Sequence, residues 1–353
     1  MSTARSFIRI LLGGSLAWAL LAARVAPVRA QAQANPSTTW TVTIVLPPRV
    51  MAGHPATLAV FGVDGKLAAG GAVTLSDGQT LTTDRTGRAK FTAPASGDYL
   101  LAKGSGASVA ALIDPAAGAS EPKETTAPPV ISVRDRFWVC SAGLSGDAGS
   151  NSVRINGEPA LVIAASPECL VALPSSKATA GPATISIEAP GTEATAKATL
   201  VALEFDAPQP ALVPGKKSRL DVRVRGSEQK LGLVVDNVTP GVLRFVRGDS
   251  QEVLTRGGPQ NIATLDVQAV RTGDYSFRAR LIPAADAAIA QRYLLAATQL
   301  APDDSRSDIR GFAKRIARHP RDLPAVRAQV GDILMQTIAG DFRTLLNAAW
   351  EAL

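Results

Sequence analysis

Residues 56–78 read ATLAVFGVDGKLAAGGAVTLSDG. Ala56 to Phe61 and Ala72 to Leu75 are short β-rich runs, closed by the turn signals Val63-Asp64-Gly65 and Ser76-Asp77-Gly78. Thr41 to Leu46, just upstream, has the same character. From Trp40 to about Leu203 the hydrophobic period is two rather than 3.6. Strands at this spacing, with no helical stretch between them, predict tandem antiparallel sandwiches and a mainly β fold class.

Three predicted units follow. The first, 38–113, carries Val63-Asp64-Gly65-Lys66, the run Thr82 to Phe91, and Ser96-Gly97-Asp98-Tyr99-Leu100. In these residues it resembles a bacterial immunoglobulin-like domain of the invasin or carboxypeptidase-regulatory type. Asp84 to Gly87 reads as a tight turn, in which Asp bonds to its own backbone and Gly accepts positive φ. Tyr99 reads as a tyrosine corner, with its phenol packed inward. Residues 114–129, rich in small and polar residues and proline, read as a linker. The second unit, 130–203, carries Gly143-Leu144-Ser145-Gly146, Val153 to Ala160, Ser166-Pro167-Glu168-Cys169-Leu170-Val171 and Gly181 to Ile185. It resembles the IPT/TIG group of immunoglobulin-like folds over about a fifth of the chain, with an altered opening strand at Arg136 to Cys140. The third, 204–283, alternates cleanly from Leu220 to Arg225. Its Thr272-Gly273-Asp274-Tyr275 echoes Ser96-Gly97-Asp98-Tyr99, a partial internal repeat that predicts a third immunoglobulin-like sandwich.

After Pro283 the period changes. Ala284 to Leu300 is rich in Ala and Leu and free of Gly and Pro, a helix by propensity. Asp304-Ser305 reads as the cap of a second helix, whose Ile309, Phe312, Ala313, Ile316 and Ala317 follow i, i+3, i+4, i+7, i+8. His319-Pro320 ends it. Leu323-Pro324 permits a third start, and Asp341 opens a last amphipathic series through Phe342, Leu345, Leu346, Ala349 and Trp350. The region 284–353 is thus expected to be a small helical tail.

The N terminus reads as an address. Arg5 and Arg9 precede the uncharged apolar run Ile10 to Ala23, and Val28-Arg29-Ala30 offers small residues at the −3 and −1 positions. That order of regions is a secretory signal peptide over 1–30. Arg24 and Arg29 are unusual in a cleavage region, so cleavage after Ala32 or Ala34, or retention as an uncleaved anchor, stays open. The run is shorter than the roughly 20 residues that span a bilayer. An exported chain, periplasmic or extracellular, follows.

This also disposes of the high pI near 9.7 as a sign of nucleic acid. The 353 residues carry a formal charge of +7, and the four arginines of 1–30 meet no acid there, so the rest holds only +3. The tail keeps one local concentration. Between Arg306 and Arg327 lie seven basic and two acidic residues, with Arg310, Lys314, Arg315, Arg318 and Arg321 as candidate contacts for a partner or an anionic surface. No aromatic residues interleave with them as a base-stacking platform would need.

Little else suggests chemistry. Cys140 and Cys169 share one unit of an exported chain and are expected to form a disulfide, with Trp138 on the same strand face. A redox-active pair is the alternative, but no C-x-x-C occurs. His54 sits in a turn and His319 at a helix end, neither within a catalytic motif. Asp303-Asp304 reads as a helix start. Gly70-Gly71 and Gly257-Gly258 read as turns, and Ser145-Gly146-Asp147 has no acidic cluster to hold calcium. No catalytic residue, metal or cofactor is expected. The function these features imply is a non-enzymatic exported binding or scaffold protein, a rod of β spacers ending in a helical docking element, with an envelope protein as partner. Anionic lipid or polysaccharide is the other partner class. The alternative role is a carbohydrate-positioning accessory subunit of an envelope enzyme or export complex.

Overall fold

A computed structural model describes residues 42–116, 124–209, 212–246 and 248–353. The signal segment and residues 117–123 of the expected linker lie outside these.

The first sandwich is built from β1 (Thr43–Val45), β2 (Arg49–Met51), β3 (Pro55–Phe61), β4 (Ala72–Leu75), β5 (Thr80–Thr82), β6 (Arg88–Thr92), β7 (Tyr99–Gly104) and β8 (Ala107–Asp114). One sheet runs β1-β3-β6, the other β2-β8-β7-β4-β5. Leu58, Val60, Val73, Phe91, Leu100 and Ile113 fill the space between them. The turn into β6 forms as its residues dictate. Asp84 Oδ1 accepts from the backbone N–H of Thr86 and of Arg88, and Gly87 takes φ +73°. A Cβ on Gly87 would also stand 2.6 Å from Cβ of Leu67, so this position admits no side chain.

The second sandwich comprises β9 (Val130–Ser132), β10 (Phe137–Cys140), β11 (Ser152–Ile155), β12 (Glu158–Ala165), β13 (Cys169–Leu173), β14 (Gly181–Ala189) and β15 (Thr192–Phe205). Its core holds Phe137, Val139, Leu170, Ile185, Ile187 and Leu200. β12 switches sheets, pairing β11 with its first half and β13 with its second. In both sandwiches a three-residue strand pairs in parallel with the last strand, β2 with β8 and β9 with β15. Thr126, near the end of the expected linker, bridges to Cys140 and so lies against the edge of β10.

The third sandwich uses the end of β15, then β16 (Lys217–Arg225), β17 (Gly232–Asn237), β18 (Leu243–Phe245), β19 (Ser250–Leu254), β20 (Ile262–Ala269) and β21 (Phe277–Leu281). Its sheets are β15-β16-β20-β18 and β19-β17-β21. β16 alternates as its sequence does, Leu220, Val222 and Val224 buried and Arg219 and Arg225 exposed. The repeated Gly-Asp-Tyr motifs occupy matching places, each leading into a strand, with Gly97 at φ +120° and Gly273 at φ +154°.

Four helices complete the chain: α1 (Ala287–Leu300), α2 (Asp303–Arg318), α3 (Leu323–Gln336) and α4 (Asp341–Ala352). Asp286 caps α1 by accepting from the N–H groups of Ala288 and Ile289. α2 starts one residue before the expected cap. Pro302 takes the cap position without a side-chain bond, and Asp303 and Asp304 both sit in the first turn, where acids favour the dipole.

The helical region, expected to end a series of β spacers, folds back onto the first sandwich. Tyr293, Leu294, Ala297, Leu345, Leu346 and Ala349 share one apolar cluster with Leu101 of β7 and Leu112 of β8. Tyr99 is not an inward corner of the first sandwich. Alternation along β7 sends Leu100 and Ala102 inward, so Tyr99 and Leu101 face the helices.

Cys140 and Cys169 form the expected disulfide. They stand directly opposite each other on β10 and β13, so the bridge staples neighbouring strands of one sheet rather than joining two sheets. Closing 29 residues, it stabilises by about 3–4 kcal/mol on loop-entropy grounds. Trp138 lies on the same face of β10, two residues away.

Candidate binding face

α2 divides its residues sharply. Ile309, Ala313 and Ile316 are buried in the helical core, with Phe312 packed beside them. At 100° per residue, Ser307, Arg310, Gly311, Lys314 and Arg318 fall on the opposite side together with the first-turn acids Asp303 and Asp304, and all seven are exposed. Arg310, Lys314 and Arg318 follow i, i+4, i+8, a ridge about 12 Å long. Arg321 extends it on the 3₁₀ turn Pro320–Asp322 that follows.

The cations of this stretch differ in what they touch. Arg315 donates through Nε to Asp322 at 2.7 Å and through Nη1 to Gln329 at 3.3 Å. Its guanidinium holds the Asp322 carboxyl below the usual carboxylate range. Arg306 pairs with Asp303 at 2.7 Å. Arg327 forks onto Glu252 of β19 at 2.8 and 2.9 Å, its guanidinium 4.1 Å from the ring centre of Trp350. Arg310, Lys314, Arg318 and Arg321 make no ion pair or hydrogen bond among the described residues. Of the five residues singled out in the sequence, four therefore form an open ridge and Arg315 is tied down within the tail.

The densest charged cluster lies elsewhere, and sequence reasoning missed it. Asp114, at the end of β8, accepts from Arg49 Nε at 2.6 Å and from Arg292 Nη1 at 2.5 Å. Arg49 also pairs with Glu168 at 2.8 Å. Only 6% of the Asp114 side chain and 10% of the Glu168 side chain meet solvent. Burial pushes the Asp114 carboxyl up, but its hydrogen bond with Glu168 and the guanidiniums of Arg49 and Arg292 outweigh this and hold it low. Nearby, burial pushes the Tyr293 phenol well above its ordinary value. The cluster joins β2, β8, the β12–β13 turn and α1. Its four residues are spread from 49 to 292, so no local motif announces it; only Glu168 lay within a quoted motif.

The remaining candidates have structural partners. His54 is exposed and contacts the carbonyl of Ala52 at 2.9 Å; His319 is exposed after α2. Asp147 is spent on Lys90 at 2.7 Å and on the N–H of Gly149, and the Lys90 contact holds its carboxyl low. Gly70, Gly257 and Gly258 take positive φ in turns. Among the described residues no three His, Cys, Asp or Glu side chains converge on a metal site, and no helix is long and apolar enough to cross a membrane.

Sheet topology and helical region together make this a mainly β protein of immunoglobulin-like sandwiches with four C-terminal helices. No family model matches the chain, and neither does any curated protein. Solved structures that it resembles include the full extracellular region of plexin A4, at 10% identity and a TM-score of 0.27 over 72% of this chain and 24% of that one. Another is the N-terminal four Ig domains of Dscam1, at 10% identity and a TM-score of 0.22 over 66% and 73%. A third is a Bacteroides ovatus SGBP-B from a mixed-linkage glucan utilization locus, solved with a heptasaccharide, at 12% identity and a TM-score of 0.22 over 67% and 66%. The chain spans about a quarter of the plexin region.

Proposed function

We propose that this chain is an exported, non-enzymatic binding and scaffold protein, acting in the periplasm or outside the cell, whose basic α2 ridge meets an anionic partner of the cell envelope. The observation that carries this is the ridge itself: three exposed cations on the side of α2 turned away from its buried stripe, and Arg321 on the turn that follows, none with an ion-pair partner among the described residues. Export is supported by the signal-like order of residues 1–30 and by the disulfide, which persists in oxidising compartments. The IPT/TIG likeness of 130–203 and the bacterial immunoglobulin-like likeness of 38–113 fit a scaffold, a role such folds host without a built-in chemistry.

The carbohydrate-positioning role has less support. Among the described residues no Trp, Tyr or Phe is exposed, so the aromatic platform that stacks on sugars is missing from these surfaces. Affinity purification from envelope extracts, comparing the wild type with R310E/K314E/R318E/R321E, tests the proposal. Envelope components retained by the wild type should be lost from the variant; equal recovery overturns the role of the ridge.

A further inference from the structure

We infer that the α2 ridge docks on the headgroup surface of an anionic lipid bilayer; this rests on the reading of the ridge as the binding face. A protein contact concentrates its energy on a central Trp, Tyr or Arg enclosed by neighbours that exclude water. The ridge offers none so enclosed. Beside Arg310, Lys314 and Arg318 stand the small residues Ser307, Gly311 and Ala317, while Ile309, Phe312, Ala313 and Ile316 point into the helical core. An anionic bilayer asks for several accessible cations clear of acids; the exposed carboxylates of α2, Asp303, Asp304 and Asp308, all precede Arg310, and the stretch from Arg310 to Arg321 presents three cations on α2 and a fourth on the following turn.

The same geometry fixes the mode of contact. An ordinary membrane-surface helix sinks its apolar face into the acyl boundary. Here that face is already buried against α1 and α3 in the helical core, so α2 lies on the headgroups without inserting. Binding is therefore peripheral, reversible and screened by salt.

Co-sedimentation of the full chain with lipid vesicles tests this. The wild type and R310E/K314E/R318E are compared on phosphatidylcholine vesicles with and without about 30% phosphatidylglycerol, at about 0.05 and 0.5 M NaCl. Each cation near an anionic surface accounts for about a fivefold change in partitioning, so the triple reversal should weaken binding to the anionic vesicles at least about tenfold. High salt should release the wild type, and neutral vesicles should retain both proteins equally weakly. All three positions are exposed, so helical circular dichroism should be unchanged; K314E alone, with a smaller loss, guards against a folding artefact. Equal binding to neutral and anionic vesicles, or equal binding by wild type and variant, overturns the inference. If only envelope capture is lost in the variant, the ridge is a binding face for something other than lipid. If neither readout moves, the reading of the ridge fails with it.

Discussion

Toward the first sandwich, the outer face of the β12–β13–β10 sheet lays Ile163, Ala164 and Val171 against Val45 and Ala59, all buried. Polar groups interlock around that patch. The register of β12 shifts between Val162 and Ala164, which frees carbonyls from the ladder, and Arg88 of β6 donates to those of Val162 at 2.5 Å and Ile163 at 3.2 Å. Thr57 donates to the carbonyl of Gly146, and Thr57 pairs with Ala165 across the two sandwiches. Toward the third sandwich the chain does something simpler. β15 runs on, pairing β14 with its first part and β16 with its last four residues. The unit boundary expected at 203–204 thus falls inside a continuous strand. Beyond that strand, Arg223–Asp206 and Arg225–Glu204 are exposed pairs of small value. Carboxylates report the same contrast. Asp114 at the first junction is held low by its guanidiniums, whereas burial pushes Asp135, near Arg278 and Arg280, up. One junction has its own apolar core and a buried charge cluster; the other adds to a continuous strand the packing of Val130 and Val201 on the third core and the close approach of Gly226 to the Leu200 carbonyl.

The most drastic way to break the first junction is to remove residues 286–353. Leu101 and Leu112, both buried, would lose their helical cover, costing about 3–6 kcal/mol for the two leucines alone. Arg292 would leave the Asp114 carboxylate at the same time. The expected outcome is that the first sandwich unfolds early or aggregates, seen as a lower first transition in thermal melting. Survival of an unchanged transition would mean that the helices merely rest on the sheet.

Arg49→Ala should cost about 3 kcal/mol, because it strips one partner from two nearly buried carboxylates. It also has a pH signature. The folded-state pKa of Asp114 is depressed, so its contribution is present above the unfolded value near 3.9 and is lost as pH falls through the folded one. Wild-type Tm should therefore drop steeply below about pH 4, and the variant should start lower and fall less steeply. Parallel curves would show that the cluster does not couple to folding.

Gly146→Ala probes the same junction through sterics. A Cβ there would stand 1.9 Å from the carbonyl oxygen of Pro55, backbone against backbone. The two sandwiches must separate to admit it, at a cost of about 1–3 kcal/mol. Proteolysis should then cut more readily near 53–56 and 145–149. Unchanged melting and proteolysis would mean the contact is slack.

What was legible follows from how local each signal is. Strand β16 and the four helices could be read because their periodicities lie within a dozen residues, and the disulfide because the chain has only two cysteines, both in one predicted unit. The ridge was legible for the same reason, as charges at i, i+4, i+8. The fold-back of the helices left a weaker trace: Tyr99-Leu100-Leu101-Ala102 and Ala110-Ala111-Leu112-Ile113 are continuous apolar runs, and such runs mark strands covered on both faces. Reading Tyr99 by motif rather than by that run placed it on the wrong side. Asp114, Arg49, Glu168 and Arg292 left no trace, since only the folded chain brings them within hydrogen-bonding distance.

The smallest expected effect belongs to the looser side. Arg327 of α3 ties the helices to the third sandwich through its fork on Glu252, while its stacking on Trp350 and an Nε bond to the Trp350 carbonyl at 3.3 Å hold it against α4. The Glu252 side chain is 42% exposed, so solvent competes for the pair. Arg327→Ala should cost only about 1 kcal/mol in global stability. Its clearer consequence is local: amide exchange along β19 should quicken, while exchange in β7 and β8 stays as in the wild type. Arg327→Lys keeps the charge but loses the planar fork, and should quicken β19 nearly as much. If either variant loosened β7 and β8 as well, the two junctions would be coupled through the helices, and the division into a tight and a loose side would have to be given up.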